Sequence, residues 1–503
     1  MLGEDVLYLT VEELGAQIKA KKLSPVDLTE GYLARLEKFG PKLGAVATVM
    51  REQAMTEART AEVEIQKGKY RGPLHGIPYG AKDLLAAKGA PTTWGAPPFK
   101  DQVFDFDATI VRRLREAGAI LVAKLAMIEL AGGGGYSNAS ASLQGASRCP
   151  FNQEHWAGGS SSGPGAAVPS ALVAFAIGSE TLGSIITPCA FSGVSGLRPT
   201  YGRVSRAGAM ALSWTLDKLG PMCRSAADCG LVMSAIAGPD AADPSTREDG
   251  AWDRKSSAVG GALRAPGKLF GGGKKEKISL AGKKIGVIRP NFERGGEPEV
   301  AAAYAAALGV LQGLGAELKD TALPDFPYGT VASVLIAAEG ATIFRPLMES
   351  GKIQELLDER QKTGMIAALS TSATDYLDAC RIRAKIQNAM GGVFEQFDAV
   401  VAPSRNAPAS RLDADLQGPP RPPGGPEAAG RAAAPPGAGN TTALLAASNV
   451  AGQPAISVPC GFTAKNLPVG IQFVSDTMHD DLCIEFAAAY QSATEWHKKR
   501  PGL

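Results

Sequence analysis

Hydrophobic positions along the chain alternate between helical and strand-like spacing. Thr10 and Glu13 have the spacing of a capping box, and Ser24 and Pro25 suit the N-cap and the first turn of a second amphipathic helix. Further along, the helical pattern ATIVRRLREAG, for which Asp107 is the expected N-cap, is followed at once by the apolar run AILVAK. This alternation predicts an α/β protein.

The C-terminal third continues the alternation of helical and strand-like spacing. Two segments of the chain depart from it in composition, and the second of them lies in this third. Strands are predicted at FDAVVAPS, PAISVPCGF and PVGIQFVS, and a closing helix at DDLCIEFAAAYQSA. A Gly/Lys-rich segment at 255–277 and a Pro/Gly/Ala-rich segment at 418–439 can bury little apolar surface. We therefore expect flexible insertions within one domain that spans 1–503, although composition alone also allows a linker at the second segment.

Composition and charge narrow the function. The 503-residue chain is 45% hydrophobic and carries a net charge of +2, which gives no reason to expect nucleic acid or an anionic membrane as a partner. Seven irregularly spaced cysteines form neither a disulfide framework nor a zinc motif, which suits a reducing compartment. No signal peptide or membrane-length apolar run is present, so we expect a cytoplasmic protein that acts on a small molecule.

Three stretches combine glycine or proline with a reactive side chain: GPLHGIPYGAKDLL at 72–85, GGSSSGPGAAV at 158–168 and GSETLGSI at 178–185. A serine nucleophile needs a base, yet the chain has four histidines and no G-x-S-x-G motif, which disfavours a Ser-His-Asp triad. The glycine-rich stretch lacks the Lys-Ser/Thr ending of a P-loop, which disfavours nucleotide binding.

Lysine is the other candidate base. Lys82 lies in an apolar neighbourhood, where burial would favour the neutral amine that can accept a proton. The alternative is a surface lysine paired with Asp83. The role of Ser184 is open in the same way: it is either a nucleophile or part of a buried turn.

Seven stretches in order point to a known family. The three above, together with DATIVRRLREAGAILVAK, GLRPTYGRVSRAGAM, TLDKLGPM and NVAGQPAISVPCGF, make the chain resemble the amidase signature enzymes over almost its whole length. The resemblance implies a single large domain with a central mixed β-sheet flanked by helices. It also implies a catalytic triad of Lys82, Ser160 and Ser184, with a cis peptide at the middle serine, and neither cofactor nor metal.

The implied mechanism gives each residue a role. Ser184 would attack the substrate carbonyl, while Ser160 passes its proton to neutral Lys82. Backbone N–H groups of the loop would stabilise the oxyanion. That loop consists of Thr181, Leu182, Gly183 and Ser184.

Departures from the family pattern put the substrate in question. Leu182 stands where the family commonly has glycine, and Ile186 stands where it commonly has arginine. We expect Ile186 to form part of the pocket wall, and Ala131, Gly132 and Gly133 to form a roomy substrate-facing loop. The pocket is therefore expected to be apolar and to lack a countercharge.

The main interpretation is a stand-alone amidase, as a monomer or homodimer, that cleaves small uncharged, hydrophobic or aryl amides, with esters and carbamates as further substrates. The alternative is the glutamine-hydrolysing subunit of a tRNA-dependent amidotransferase. That subunit uses an acidic residue where this chain has Thr442, so the ammonium of glutamine would lose a partner. A third possibility, of another class, is a non-catalytic scaffold with this fold.

Overall fold

One mixed β-sheet forms the centre of the computed structural model, which describes residues 2–250, 252, 277–289, 297–416 and 441–503. The expected insertions lie outside these residues, except for Lys277. Within them the strands are β1 (Val46–Val49), β2 (Pro78–Lys82), β3 (Ile120–Leu125), β4 (Phe175–Glu180), β5 (Ser195–Arg198), β6 (Lys218–Cys223), β7 (Lys284–Val287), β8 (Glu317–Asp320), β9 (Ala399–Pro403), β10 (Ala455–Phe462) and β11 (Pro468–Val474).

The order across this sheet is β1-β3-β2-β4-β6-β5-β10-β11-β9-β7-β8. Strand β2 is parallel to both β3 and β4, and β7 is parallel to both β8 and β9. The other pairs are antiparallel. The fold is therefore a single large α/β domain with a mixed sheet, as the family resemblance implied.

Helices cover both faces of the sheet. Those described are α1 (Glu4–Leu7), α2 (Val11–Lys19), α3 (Pro25–Leu43), α4 (Arg51–Gln66), α5 (Thr109–Glu116), α6 (Ser162–Ala167), α7 (Ile186–Ser192), α8 (Ala226–Ile236), α9 (Pro298–Gly313), α10 (Tyr328–Ile343), α11 (Arg345–Glu349), α12 (Glu359–Ala368), α13 (Ala373–Phe394), α14 (Thr441–Ala451) and α15 (Asp480–Ser492). None of these is long and apolar enough to cross a membrane.

Strand β3 shows how the sheet separates two parts of the core. All its residues are buried. Because successive side chains of a strand point to opposite faces, Leu121 packs into one hydrophobic cluster, while Ile120 and Val122 pack into another with Leu36 of α3. A strand buried on both faces accounts for the continuous apolar run that marked it in the sequence.

The predicted helix starts are confirmed at two positions and wrong at one. Thr10 and Glu13 form the capping box of α2, and Ser24 caps α3. Helix α5 begins at Thr109 with Ala108 as an N-cap that makes no side-chain bond. Asp107 instead accepts the backbone N–H of Lys88 at 2.8 Å and pairs with Arg115. Because these contacts occupy its carboxylate, Asp107 does not cap the helix.

Candidate active site

The candidate residues converge where two parallel strands end. Lys82 is the last residue of β2, and β2 pairs with β4, which ends at Glu180. The carboxyl ends of parallel neighbours lie at the same edge of a sheet. This edge places Lys82 beside Ser179 of β4 and the loop that follows it.

Lys82 is fully buried and bonds to two serines. Its Nζ lies 2.7 Å from Ser160 Oγ and 2.9 Å from Ser179 Oγ. Burial lowers the pKa of the Lys82 ammonium to about 7, so a large fraction of the amine is neutral near pH 7. The surface alternative is wrong: Asp83 pairs instead with buried Lys124, at 2.9 Å.

Ser160 lies on a loop that contacts the loop of Ser184. The peptide bond between Gly159 and Ser160 is cis, as the family resemblance implied. The Ser160 carbonyl accepts the N–H of Ile128 at 3.1 Å, and the next N–H, that of Ser161, donates to the Ser184 carbonyl at 3.2 Å. The second of these bonds joins the two serine loops directly at the backbone, and the first holds the Ser160 loop from the segment of Ile128.

The loop from Thr181 to Ser184 connects β4 to α7. Gly183 has a φ of +88°, in the region that favours glycine, and its carbonyl accepts the N–H of Thr187 at 2.8 Å. The N–H groups of Leu182, Gly183 and Ser184 donate to no acceptor among the described residues. They are thus free to bind an oxygen of a ligand.

Glu180 directly precedes this loop, and its carboxylate binds the residues that follow the loop. Its buried carboxylate accepts the N–H groups of Ile185 at 2.8 Å and Ile186 at 2.9 Å, beyond the loop's far end. It also pairs with Arg198 at 3.0 Å. Burial raises the pKa of Glu180, but the charges of Arg198 and Lys218 and the hydrogen bonds from Ile186 and Asn449 together outweigh this effect, and the pKa lies below its ordinary value. An ionised carboxylate at the residue before the loop therefore binds the two residues that follow it.

Asp217 holds the start of the same loop. Its carboxylate accepts the hydroxyl of Thr181 at 2.6 Å and the backbone N–H groups of Leu212 at 2.7 Å and Ser213 at 2.9 Å. Sequence reasoning missed this residue, although it lies in the TLDKLGPM stretch that carried part of the family resemblance.

A cavity of about 540 Å³ opens beside the loop. Its lining combines glycines and apolar side chains with several hydroxyls and one arginine, and it consists of Ala131, Gly132, Gly134, Gly135, Tyr136, Trp156, Gly159, Thr181, Leu182, Ser184, Thr187, Phe191, Leu212, Ser333, Ile336, Ala337, Gly364, Ala368, Arg405, Ser410 and Leu416.

The lining corrects two expectations about the pocket wall. Ala131 and Gly132 line the cavity, but Gly133 does not. Ile186 does not line it either, because its side chain is fully buried in a hydrophobic cluster with Leu444 and Leu445. An apolar side chain two residues after Ser184 thus packs into the core.

Arg405 corrects the expectation that the pocket lacks a countercharge. It is the one charged residue among the described residues that line the cavity. Sequence reasoning missed it because a single arginine after the apolar run FDAVVAPS is typical of an exposed strand end. Thr442 was the basis for doubting glutamine as the substrate, but its side chain lies outside the described part of the chain.

Comparison with known proteins gives the family. The model of the Amidase family matches residues 27–484, and the chain belongs to this family of amidase signature hydrolases, which act on carbon–nitrogen bonds. Among curated proteins it is 34% identical to a glutamyl-tRNA(Gln) amidotransferase subunit of Moorella thermoacetica, over 99% of each chain.

Solved structures agree with the fold. The chain is similar to the native peptide amidase of Stenotrophomonas maltophilia, with a TM-score of 0.78, 30% identity and 98% of each chain covered. It is also similar to a bacterial aryl acylamidase of the amidase signature family, with a TM-score of 0.80, 25% identity and coverage of 98% of this chain and 99% of that one.

Proposed function

We propose that this protein hydrolyses carboxamides through an acyl-Ser184 intermediate, with Ser160 and Lys82 as the proton relay. The observation that carries the proposal is the buried bond of 2.7 Å between Lys82 Nζ and Ser160 Oγ, next to a cavity that Ser184 lines. A neutral lysine amine can accept a proton, and a hydroxyl can donate and accept at once.

The reaction follows in two halves. Ser184 Oγ attacks the carbonyl carbon, its proton moves through Ser160 to Lys82, and the oxyanion is stabilised by the N–H groups of the loop. The C–N bond then breaks as the amine takes that proton back through Ser160. Water attacks the acyl ester, gives its proton to the same relay, and releases the acid together with free Ser184.

The curated relatives favour the glutamine-hydrolysing alternative over a stand-alone aryl amidase. Support comes from the 34% identity to the amidotransferase subunit over nearly the full length of both chains. The stand-alone amidase is retained as a second candidate, because no acidic residue lines the described part of the cavity to bind the ammonium of glutamine. The similarity to the peptide amidase also supports this candidate.

The test is a comparison of kcat/KM for glutamine, asparagine, short aliphatic amides, aryl amides, aryl esters and aryl carbamates, with Ser184→Ala as the control. Hydrolysis of an amide that is lost in the Ser184→Ala variant is the expected result. Glutamine as the best substrate, with turnover stimulated by a partner subunit, would select the amidotransferase candidate. An amide hydrolysed equally by the Ser184→Ala variant would overturn the proposal, and a folded protein inactive on the whole panel would support the scaffold.

A further inference from the structure

Arg405 is placed in the cavity by a firmly held strand end. It follows β9 by two residues, after Ser404. The N–H of Ser404 donates to the carbonyl of Gly470 at 2.8 Å, and its hydroxyl lies 2.8 Å from the hydroxyl of Ser457. Ser404, next to Arg405, is thus held by β11 through its backbone and by β10 through its side chain, which limits how far the Arg405 side chain can withdraw from the cavity.

No described residue pairs with the Arg405 guanidinium. By contrast, two buried arginines of this chain have carboxylate partners: Arg198 pairs with Glu180 at 3.0 Å, and Arg203 pairs with Asp480 at 3.2 Å. Burial lowers the pKa of Arg405, because the nearby charges are too weak to offset the loss of hydration. Guanidinium nevertheless stays protonated in proteins, so a cation faces this cavity.

Glu180, the carboxylate whose charge acts on Arg405, is already committed elsewhere. It accepts the N–H groups of Ile185 and Ile186, and it also binds Arg198 and Asn449. A cation without its own protein partner, in a cavity that also contains the candidate nucleophile, is suited to bind an anionic group of the substrate.

We propose that Arg405 binds a carboxylate on the acyl part of the substrate, so that the amides cleaved at Ser184 carry a negative charge. This inference rests on the proposed function and names its substrate class. One guanidinium matches one carboxylate in charge and can form a bidentate pair of hydrogen bonds with it. A phosphate would bring a second negative charge without a partner. The apolar lining that includes Leu182, Leu212 and Ile336 suits an aliphatic chain between carboxylate and amide.

The test uses binding, so that it does not depend on turnover. Succinamate, glutaramate and adipamate are titrated calorimetrically against the Ser184→Ala protein, and 5-methylhexanamide, in which an isopropyl group replaces the carboxylate of glutaramate, is the neutral control. We expect at least one carboxylate to bind about 10- to 100-fold more tightly than the neutral amide. Arg405→Met in the same background should remove this difference, and Arg405→Lys should retain part of it.

A matched control comes from the same segment. Arg411 is exposed and pairs with Glu154 and Asp413, so Arg411→Met should leave all affinities unchanged. Unchanged binding of 5-methylhexanamide shows that Arg405→Met is folded. The inference is overturned if Arg405→Met binds the carboxylates as tightly as its parent, or if no carboxylate binds more tightly than the neutral amide. Failure of the proposed function has a different signature, which is hydrolysis that survives Ser184→Ala.

Discussion

Lys82 Nζ lies 2.7 Å from Ser160 Oγ, although 78 positions of the chain separate the two residues. Both side chains are buried, and the lysine's second partner, Ser179, is also a hydroxyl. With no carboxylate bonded to its ammonium, burial dominates and lowers the pKa of Lys82 to about 7. A lysine can serve as a base near neutral pH only under such conditions.

The first prediction concerns pH. Because Lys82 must be neutral to accept a proton, kcat/KM should be low below its pKa of about 7, rise as the pH passes through that value, and then level off. The check is a pH–rate profile on the best amide of the panel. Lys82→Met should lower kcat by about 10²–10⁴ and remove this rise. A fully active Lys82→Met protein would contradict the relay.

The second prediction identifies the nucleophile. A fluorophosphonate should modify Ser184, because this serine lines the cavity whereas Ser160 and Ser179, which bond to Lys82, do not. Peptide mass mapping of the adduct is the measurement. Modification of Ser160 or Ser179 in place of Ser184 would overturn the assignment. Ser160→Ala should label slowly at Ser184, since the proton path to the base is cut.

The third prediction concerns Glu180, whose carboxylate binds the residues that follow the loop. Glu180→Gln removes the negative charge between Arg198 and Lys218 and weakens the acceptance of the N–H groups of Ile185 and Ile186, which follow the loop. Breaking a buried pair in this way costs about 3–5 kcal/mol, so we expect a lower free energy of unfolding together with a lower kcat. Denaturant unfolding and the fluorophosphonate labelling rate at a temperature where the variant is folded measure the two effects. Wild-type values of both would show that Glu180 does not hold the loop.

The fourth prediction concerns the one glycine inside the loop. Gly183 has a φ of +88°, and an added Cβ would lie 3.1 Å from the Leu445 side chain and 3.2 Å from Thr187 Oγ1. Gly183→Ala should therefore shift the loop and lower kcat by about 10- to 100-fold. Gly309→Ala is the matched control, because Gly309 lies within α9 and its added Cβ meets nothing within 4 Å. That control should be fully active, and equal activity of the two variants would refute the prediction.

The fifth prediction separates the two substrate candidates. Glutaramate is glutamine without its ammonium group, and no described lining residue of the cavity is acidic. Since a desolvated ammonium without a partner is unfavourable, the stand-alone candidate predicts that kcat/KM for glutaramate exceeds that for glutamine by at least about tenfold. The comparison is made by measuring ammonia release at equal substrate concentrations. A preference for glutamine would instead favour the amidotransferase candidate.

Features that depend on neighbouring residues could be predicted from the sequence. The capping box of Thr10 and Glu13, the Ser24 cap and the buried strand at Ile120–Leu125 arise from short-range hydrogen bonding and from periodicity, so a short window contains the whole signal. The family motifs also indicated Lys82, Ser160 and Ser184 as the candidate triad, because each lies within a short characteristic stretch.

Features that depend on distant partners required the folded chain. Asp107 caps no helix because Lys88 and Arg115 compete for its carboxylate, and Ile186 packs into the core because α14 covers it. Arg405 faces the cavity because β10 and β11 fix the end of its strand. Burial and charge pairing are sums over residues far apart in the chain, so no local pattern of hydrophobic and polar positions contains them.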